Sequence, residues 1–87
     1  MNLIFYKPAL KQFEKLKKKN HKDYLRIKKT LCDILENPYD NKYRPIAGKT
    51  TYKRAKSGNY RICFKITHKD IIIARIGHRK NIYNIIN

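Results

Sequence analysis

The chain has 87 residues, of which 22 are lysine or arginine and six are aspartate or glutamate, so its formal net charge is +16. This length supports one hydrophobic core, and we predict a single domain over 1–87. No apolar run approaches the roughly 20 residues of a membrane helix, and the opening stretch is too short for a signal peptide. We therefore expect a cytoplasmic protein that does not bind a membrane.

The excess of positive charge indicates a polyanionic or acidic partner. A net charge of +16 destabilises a compact monomer through self-repulsion, and a partner of opposite charge offsets that repulsion. A basic domain that binds membrane surfaces would gather its charges on one amphipathic helix or tail. The lysines and arginines instead run through the whole chain, which favours nucleic acid.

The first half of the chain predicts one strand followed by two helices. Apolar and aromatic residues over 2–6 indicate the strand, and Pro8 suits the first turn of a helix. A polar corner at 17–22 precedes a second helix, which begins near Asp23 and ends at Asn37. We expect an antiparallel hairpin of helices. The residues at helical spacing, expected to face the core, are Leu10, Phe13, Leu16, Tyr24, Ile27, Leu31, Ile34 and Leu35.

The second half predicts a loop and three strands. The loop covers 38–50, where prolines and a glycine interrupt any regular pattern. Strands are predicted at 52–56, 60–67 and 71–76, with tight turns at 57–59 and 68–70. The order is then β-α-α-β-β-β. This is an α+β fold in which the helical hairpin packs on one face of a mostly antiparallel sheet.

The cysteines and histidines do not form a metal site in the sequence. Cys32 and Cys63 belong to no C-x-x-C pair, and His21, His68 and His78 stand at no spacing that completes a zinc site. Both cysteines fall within apolar stretches, so we predict that they are core residues and form no disulfide. No cofactor is expected.

Cationic and aromatic side chains are concentrated in the predicted strands. Alternation places Arg54 and Lys56 on one side of their strand, and Arg61 opens the next. Arg79 and Tyr83 follow the last strand. Arginine binds phosphates through paired hydrogen bonds and tyrosine stacks on bases, so we predict a nucleic-acid surface rather than merely a solvated sheet face. The further RNA-binding candidates are Lys49, Tyr52, Lys53 and His78.

The groups that the sequence lacks restrict the chemistry. Its six acidic residues are scattered, so a two-metal nuclease site is not expected, and no glycine-rich phosphate loop occurs. Cleavage without a metal would use the 2′-hydroxyl of the substrate as nucleophile, which restricts the substrate to RNA. Tyr83 and Lys56 are candidates for proton transfer, and Arg61 with Arg79 would lower the pKa of Tyr83 by stabilising its phenolate. His78 is either an acid or a structural hydrogen-bonding residue.

Five short motifs, taken in order, are similar to those of a known toxin family. They are FEKL at 13–16, LENP at 35–38, IAG at 46–48, YKRAKSGNYR at 52–61 and GHRKNIY at 77–83. Each motif is weak alone, but together they cover nearly the whole chain at the right spacing. The chain resembles the RelE-type toxins of toxin-antitoxin pairs, within the RelE/ParE superfamily.

This resemblance implies an endoribonuclease that enters the ribosomal A site and cuts the mRNA there without a metal, which stops translation. It also implies an acidic, helical, RelB-like antitoxin that covers the active surface, and contact with operator DNA only through that antitoxin. The chain departs from the family pattern at Lys56, where arginine is frequent, which leaves the division between base and phosphate clamp undecided. The implied catalytic residues are Arg54, Lys56, Arg61, Arg79 and Tyr83.

Two other functions are compatible with the sequence. The gyrase-inhibiting branch of the same superfamily shares the fold but acts on a protein–DNA target without cutting RNA. Its members generally lack the complete set of basic residues and tyrosine found here. The other alternative is a module that binds RNA or DNA without catalysis.

Overall fold

The computed structural model describes residues 1–46 and 49–82, and the side chains at 49 and 50 are excluded from the description. Two helices pack on one face of a five-stranded sheet, with α1 against β5 and α2 against β3. The predicted order β-α-α-β-β-β is confirmed for both helices and the four predicted strands, and a fifth strand lies between the second helix and the strand predicted at 52–56. Within the described ranges, neither helix is long and apolar enough to cross a membrane.

The helices are α1, Lys7–Lys19, and α2, His21–Glu36. The break between the helices lies within the predicted polar corner at 17–22 but is shorter than predicted, because lysine is a good helix former and its charge is favourable in the last turn of a helix. A single residue, Asn20, separates the two helices. Its Oδ1 accepts a hydrogen bond from the Asp23 backbone N–H at 3.2 Å, and its Nδ2 donates to the Asp23 carboxylate at 2.7 Å. These bonds start α2 sharply, as an N-cap should.

The sheet has the strand order β1-β5-β4-β3-β2, in which β1 runs parallel to β5 and the other pairs are antiparallel. The longest run of isoleucines lies in β5, which has neighbours on both sides, as a continuous apolar run predicts. The strands are β1, Asn2–Phe5; β2, Arg44–Ile46; β3, Lys49–Ser57; β4, Tyr60–Ile66; and β5, Asp70–His78.

The short strand β2 lies inside the predicted loop, so the prediction for 38–50 is wrong at that point. Pro45 hides this strand in the sequence because proline cannot donate to a sheet ladder. It is tolerated here because β2 is an edge strand, whose pairing with β3 shifts register between Pro45 and Ile46.

The main core fills the space between the helices and the sheet. Its largest fully buried side chains are Phe64, Ile27, Ile34, Ile62, Ile71 and Ile73. Three core predictions are wrong: Leu10 and Leu35 are 40% and 43% exposed, and Cys32 is exposed. Leu35 lies next to the buried Ile34, but one residue rotates the side chain by roughly 100° around a helix and takes it off the buried stripe. Cys63 is buried, as predicted.

Candidate nucleic-acid interface

One face of the sheet is covered by the helices, and we call the other the open face. Residues directly opposite each other on paired strands project to the same side. Ala55, Ile62 and Ile76 form one such row, and all three belong to the core beneath the helices. The next row along β3 therefore projects to the open face. It runs across four strands as Arg44, Arg54, Cys63 and Arg75.

The neighbouring row on the open face consists of Lys56, Arg61 and Gly77. Gly77 has no side chain, and a Cβ built on it would lie 3.0 Å from Ile82 Cδ1. Ile82 is buried, so the segment after β5 folds back over the glycine, beside Arg61. A glycine is needed here because of this close approach.

The turn between β3 and β4 is hydrogen-bonded to two predicted site residues. The Arg61 guanidinium donates from Nη1 to the carbonyl oxygens of Gly58, at 3.0 Å, and Tyr60, at 2.9 Å. The backbone N–H of Arg79 donates to the Asn59 carbonyl at 2.8 Å. Two arginines that are far apart in the sequence therefore lie beside one turn.

A third arginine, from α2, approaches the same turn. Gly58 has φ of +60°, and a Cβ built on it would lie 2.9 Å from Arg26 Cδ. Arg26 also lies 4.0 Å from the Asp23 carboxylate. Arg26 was not among the predicted site residues, because only the fold brings the middle of α2 to this turn.

At the centre of the open face is a small apolar cluster formed by Ile46, Cys63 and Ala74, with Tyr52 packed against it. Arg75 borders this cluster: its Nη1 donates to the Ala74 carbonyl at 2.8 Å, and its buried Nε has no hydrogen-bond partner among the described residues. Burial raises the pKa of the Cys63 thiol to about 11, against a smaller lowering by the Arg75 charge. The thiol is therefore protonated at neutral pH and is a packing group rather than a nucleophile.

Beyond this cluster, Lys65 lies between two tyrosine rings. Its Nζ is 5.7 Å from the Tyr6 ring centroid and 5.5 Å from that of Tyr52. Hydrogen bonding to Tyr6 and interaction with the Tyr52 hydroxyl raise the pKa of Lys65. Tyr52 was a predicted RNA-binding residue, whereas Tyr6 and Lys65 were missed because β1 and β4 are far apart in the sequence.

Lys56 stands on β3 beyond the end of β2 and also borders a cleft of about 290 Å³ at the edge of α2, with Thr30, Asp33, Lys42 and Tyr43. Tyr43 packs edge-on against Phe64, with ring centroids 5.4 Å apart. Burial, then the charges of Asp33 and Asp40, raise the pKa of Tyr43. This tyrosine is therefore a protonated core residue.

Two predicted RNA-binding residues lie away from the open face. Lys53 is opposite the core residue Phe64, and its Nζ is 5.6 Å from the Tyr39 ring centroid, so it projects to the helix-covered side. His78 is opposite Tyr60, with ring centroids 5.7 Å apart, and its Nδ1 accepts a hydrogen bond from the Lys80 N–H at 3.2 Å. Nδ1 of His78 is therefore used in a structural hydrogen bond, which is one of the two roles predicted for this residue. Tyr83 and the side chain of Lys49 lie outside the described residues.

The two central rows of the open face contain no acidic residue. Acidic side chains of α2 and the following loop gather instead around a second cleft, lined by Asp33, Glu36, Asn37, Asp40, Lys42 and Tyr43. In the part of the chain that the structure describes, no three histidine, cysteine or acidic residues lie together as metal ligands. Because the charged side chains of these two rows are all cationic, the rows favour the binding of phosphates.

Fold and surface together define a small α+β domain that presents a cationic sheet face. The profile of the ParE toxin of type II toxin-antitoxin systems, parDE, matches residues 3–83, and the chain belongs to this family, within the RelE/ParE superfamily. The predicted resemblance is thereby confirmed. No curated protein matches the chain in sequence.

Solved structures of toxins share the fold. A YoeB/ParE toxin from Agrobacterium tumefaciens superposes with a TM-score of 0.80 at 12% identity, covering 90% of this chain and 98% of that one. The RelB-RelE antitoxin-toxin complex from Methanococcus jannaschii gives 0.71 at 29% identity, covering 97% and 99%. The intact E. coli RelBE toxin-antitoxin complex gives 0.75 at 23% identity, covering 88% and 94%.

Proposed function

We propose that this toxin is an endoribonuclease that cuts mRNA in the ribosomal A site and thereby inhibits translation. The observation that carries the proposal is the gathering of Arg54, Lys56 and Arg61 on the open face, with the Arg79 backbone bound to the adjoining turn. Such a cluster can clamp a phosphodiester from several sides. Preorganised cations of this kind stabilise the charge that develops at phosphorus during cleavage.

The reaction class follows from the chemistry of the available groups. A base removes the proton from the ribose 2′-hydroxyl, the oxygen attacks the adjacent phosphorus, and an acid protonates the departing 5′-oxygen. The products are a 2′,3′-cyclic phosphate and a 5′-hydroxyl end. We assign the proton transfers to Lys56 and Tyr83, and we assign stabilisation of the phosphate to Arg54, Arg61 and Arg79.

The proposed regulator is an acidic antitoxin. Solved relatives are described as RelB-RelE and DinJ-YafQ complexes, and the net charge of +16 favours a partner of opposite charge. An antitoxin segment that covers the open face would neutralise its cations and exclude RNA at once.

The test is induced expression of the full chain in cells, followed by primer extension on a translated message and on a copy that lacks its start codon. We expect scissions in the translated message alone. Arg79→Ala and Tyr83→Phe should abolish the scissions, whereas Lys28→Ala, which removes an exposed cation from α2, should retain them. Growth arrest with no scissions in either message would refute the proposal.

Inhibition of gyrase is the second candidate, because the matching family profile is that of ParE toxins. The same induced cultures discriminate the two. Gyrase poisoning predicts DNA breaks and arrest that persist in Arg79→Ala cells, with intact messages. Ribonuclease action predicts that arrest and scission are lost together.

A further inference from the structure

We propose that Tyr6, Lys65 and Tyr52 form a nucleotide-binding subsite that extends the RNA path along the open face, away from the proposed cleavage cluster. The inference rests on the proposed function, since the subsite lies on the same face. It would bind the base of one nucleotide on an aromatic ring and an adjacent phosphate on the lysine ammonium group.

The three side chains come from three parts of the sheet. Tyr6 follows β1, and its backbone N–H donates to the Ile73 carbonyl of β5 at 2.9 Å. Tyr52 lies on β3 and Lys65 on β4. Lys65 Nζ is within 6 Å of both ring centroids, at 5.7 Å and 5.5 Å. The lysine is thereby held between two rings instead of extending freely into solvent.

The position of Lys65 continues the line of cations. Arg61, Cys63 and Lys65 alternate on β4 and project to the open face. Positions two residues apart on a strand are separated by about 6.8 Å, so Arg61 and Lys65 stand about 14 Å apart, with Arg54 and Arg75 in the row between them. A single strand of RNA laid along β4 would meet a cationic row at each step.

The chemistry of the subsite suits RNA in particular. A tyrosine ring stacks on any base, because every base has a π-face, and sheet surfaces with exposed aromatic residues bind single-stranded RNA in this way. Tyr6 is 37% exposed, and Tyr52 and Lys65 are half-buried. The alternative is that Lys65 only ties β1 to β3. A purely structural Lys65 would need neither an exposed Tyr6 ring nor a position in line with Arg54, Arg61 and Arg75.

Binding of short and long RNA distinguishes the contribution of the subsite from that of the proposed cleavage cluster. The probes are fluorescent 2′-O-methyl oligonucleotides of about two and about ten nucleotides, which span one or several binding positions and cannot be cut through a 2′-hydroxyl. The protein is the full chain, and the measurement is fluorescence anisotropy. We expect Tyr6→Ala and Lys65→Met to weaken binding of the long probe by about 5- to 20-fold. The affinity for the short probe should change by less than about twofold, since the proposed cleavage cluster binds it.

The variants also separate failure of the subsite from failure of the proposed function. Tyr6→Phe keeps the ring and should bind the long probe as wild type does. Arg61→Ala should weaken both probes; if it changes neither, the proposed function fails. If Arg61→Ala weakens both but Lys65→Met and Tyr6→Ala leave the long probe unchanged, only the subsite is refuted.

Two further outcomes bear on the proposal. Thermal unfolding identifies a variant that does not fold, and Lys65→Met, which nearly preserves side-chain volume, then decides the question. A glutamate-rich peptide serves as an acidic protein probe. Loss of peptide binding with unchanged RNA binding in Tyr6→Ala would overturn the subsite in favour of protein docking.

Discussion

The two faces of the sheet differ in what holds their side chains in place. The helix-covered face is packed with large apolar groups such as Phe64 and Ile62, both fully buried. Its buried hydroxyl, that of Ser57, is hydrogen-bonded to Thr30 at 3.0 Å. The open face has a small apolar centre around Cys63, bordered by arginine, lysine and tyrosine. The helix-covered face therefore contributes most of the hydrophobic stabilisation, whereas the open face holds like charges close together.

This difference separates stability from function along a single strand. Phe64 and Cys63 are neighbours on β4, yet one belongs to the main core and the other to the small cluster. Lys53 and Arg54 are neighbours on β3, yet they are opposite Phe64 and Cys63 respectively. Substitutions at adjacent positions should therefore have effects of different kinds.

The largest effect is expected for Phe64→Ala. Deletion of a buried phenylalanine typically costs about 3–5 kcal/mol, through lost burial and a residual cavity, and this ring also loses its contact with Tyr43. Cys63→Ala, on the open face of the same strand, should cost about 1 kcal/mol, because it removes one atom. Urea unfolding measures both. Equal losses would contradict the assignment of the main core to one face.

The next largest effect concerns activity. Arg54→Ala should lower the rate of mRNA cleavage by about 100-fold, the usual consequence of removing one electrostatic group from a transition-state site. Lys53→Ala removes the same charge from the adjacent residue on the helix-covered face, and the rate should stay within about threefold of wild type, since screened surface charges contribute little. Cleavage by ribosomes programmed with a defined message measures both rates. A larger loss of cleavage rate for Lys53→Ala would show that Lys53 contacts RNA after all.

Local patterns in the sequence predicted most of the helices and strands. The contacts between distant residues depend on strand pairing, which local patterns do not reveal. Apolar periodicity located both helices and the three long strands, and alternation correctly separated Arg54 and Lys56 from their neighbours. The juxtaposition of Tyr6 with Lys65 depends on β1 joining the sheet beside β5, which no local pattern reveals. The approach of Arg26 to Gly58 is non-local in the same sense. Strand β2 was missed because Pro45 masks a short edge strand.

A smaller effect is expected at the turn that carries Arg61 and Arg79. Gly58→Ala should lower the free energy of unfolding by about 1–2 kcal/mol, because a residue with a Cβ is strained at positive φ, and the new Cβ would press on Arg26. Gly58→Asn should recover part of the loss, since asparagine tolerates this conformation better. Urea unfolding gives the stability, and cleavage assays show whether the displaced turn also misplaces its arginines. Wild-type stability for Gly58→Ala would show that the turn can relax.

The smallest effect appears only at alkaline pH and tests the centre of the open face. The Cys63 thiol has a pKa of about 11 in the folded protein, raised by burial from 9.0. As pH rises from 9.0 towards about 11, the unfolded chain loses this proton while the folded protein keeps it, so rising pH favours unfolding. The stability contributed by the buried thiol is complete below pH 9.0 and is lost through that window.

Because lysines and tyrosines titrate in the same range, the informative quantity is the difference between wild type and Cys63→Ala in the free energy of unfolding. This difference should be constant near neutral pH and should shift against wild type as pH rises through the window. Cys32 is exposed and present in both proteins, so it does not contribute to the difference. A difference that stays constant to the top of the range would mean that water and hydroxide reach Cys63. The apolar centre would then be open to solvent, and the cations around it would act across a surface of higher dielectric than the packing of the open face implies.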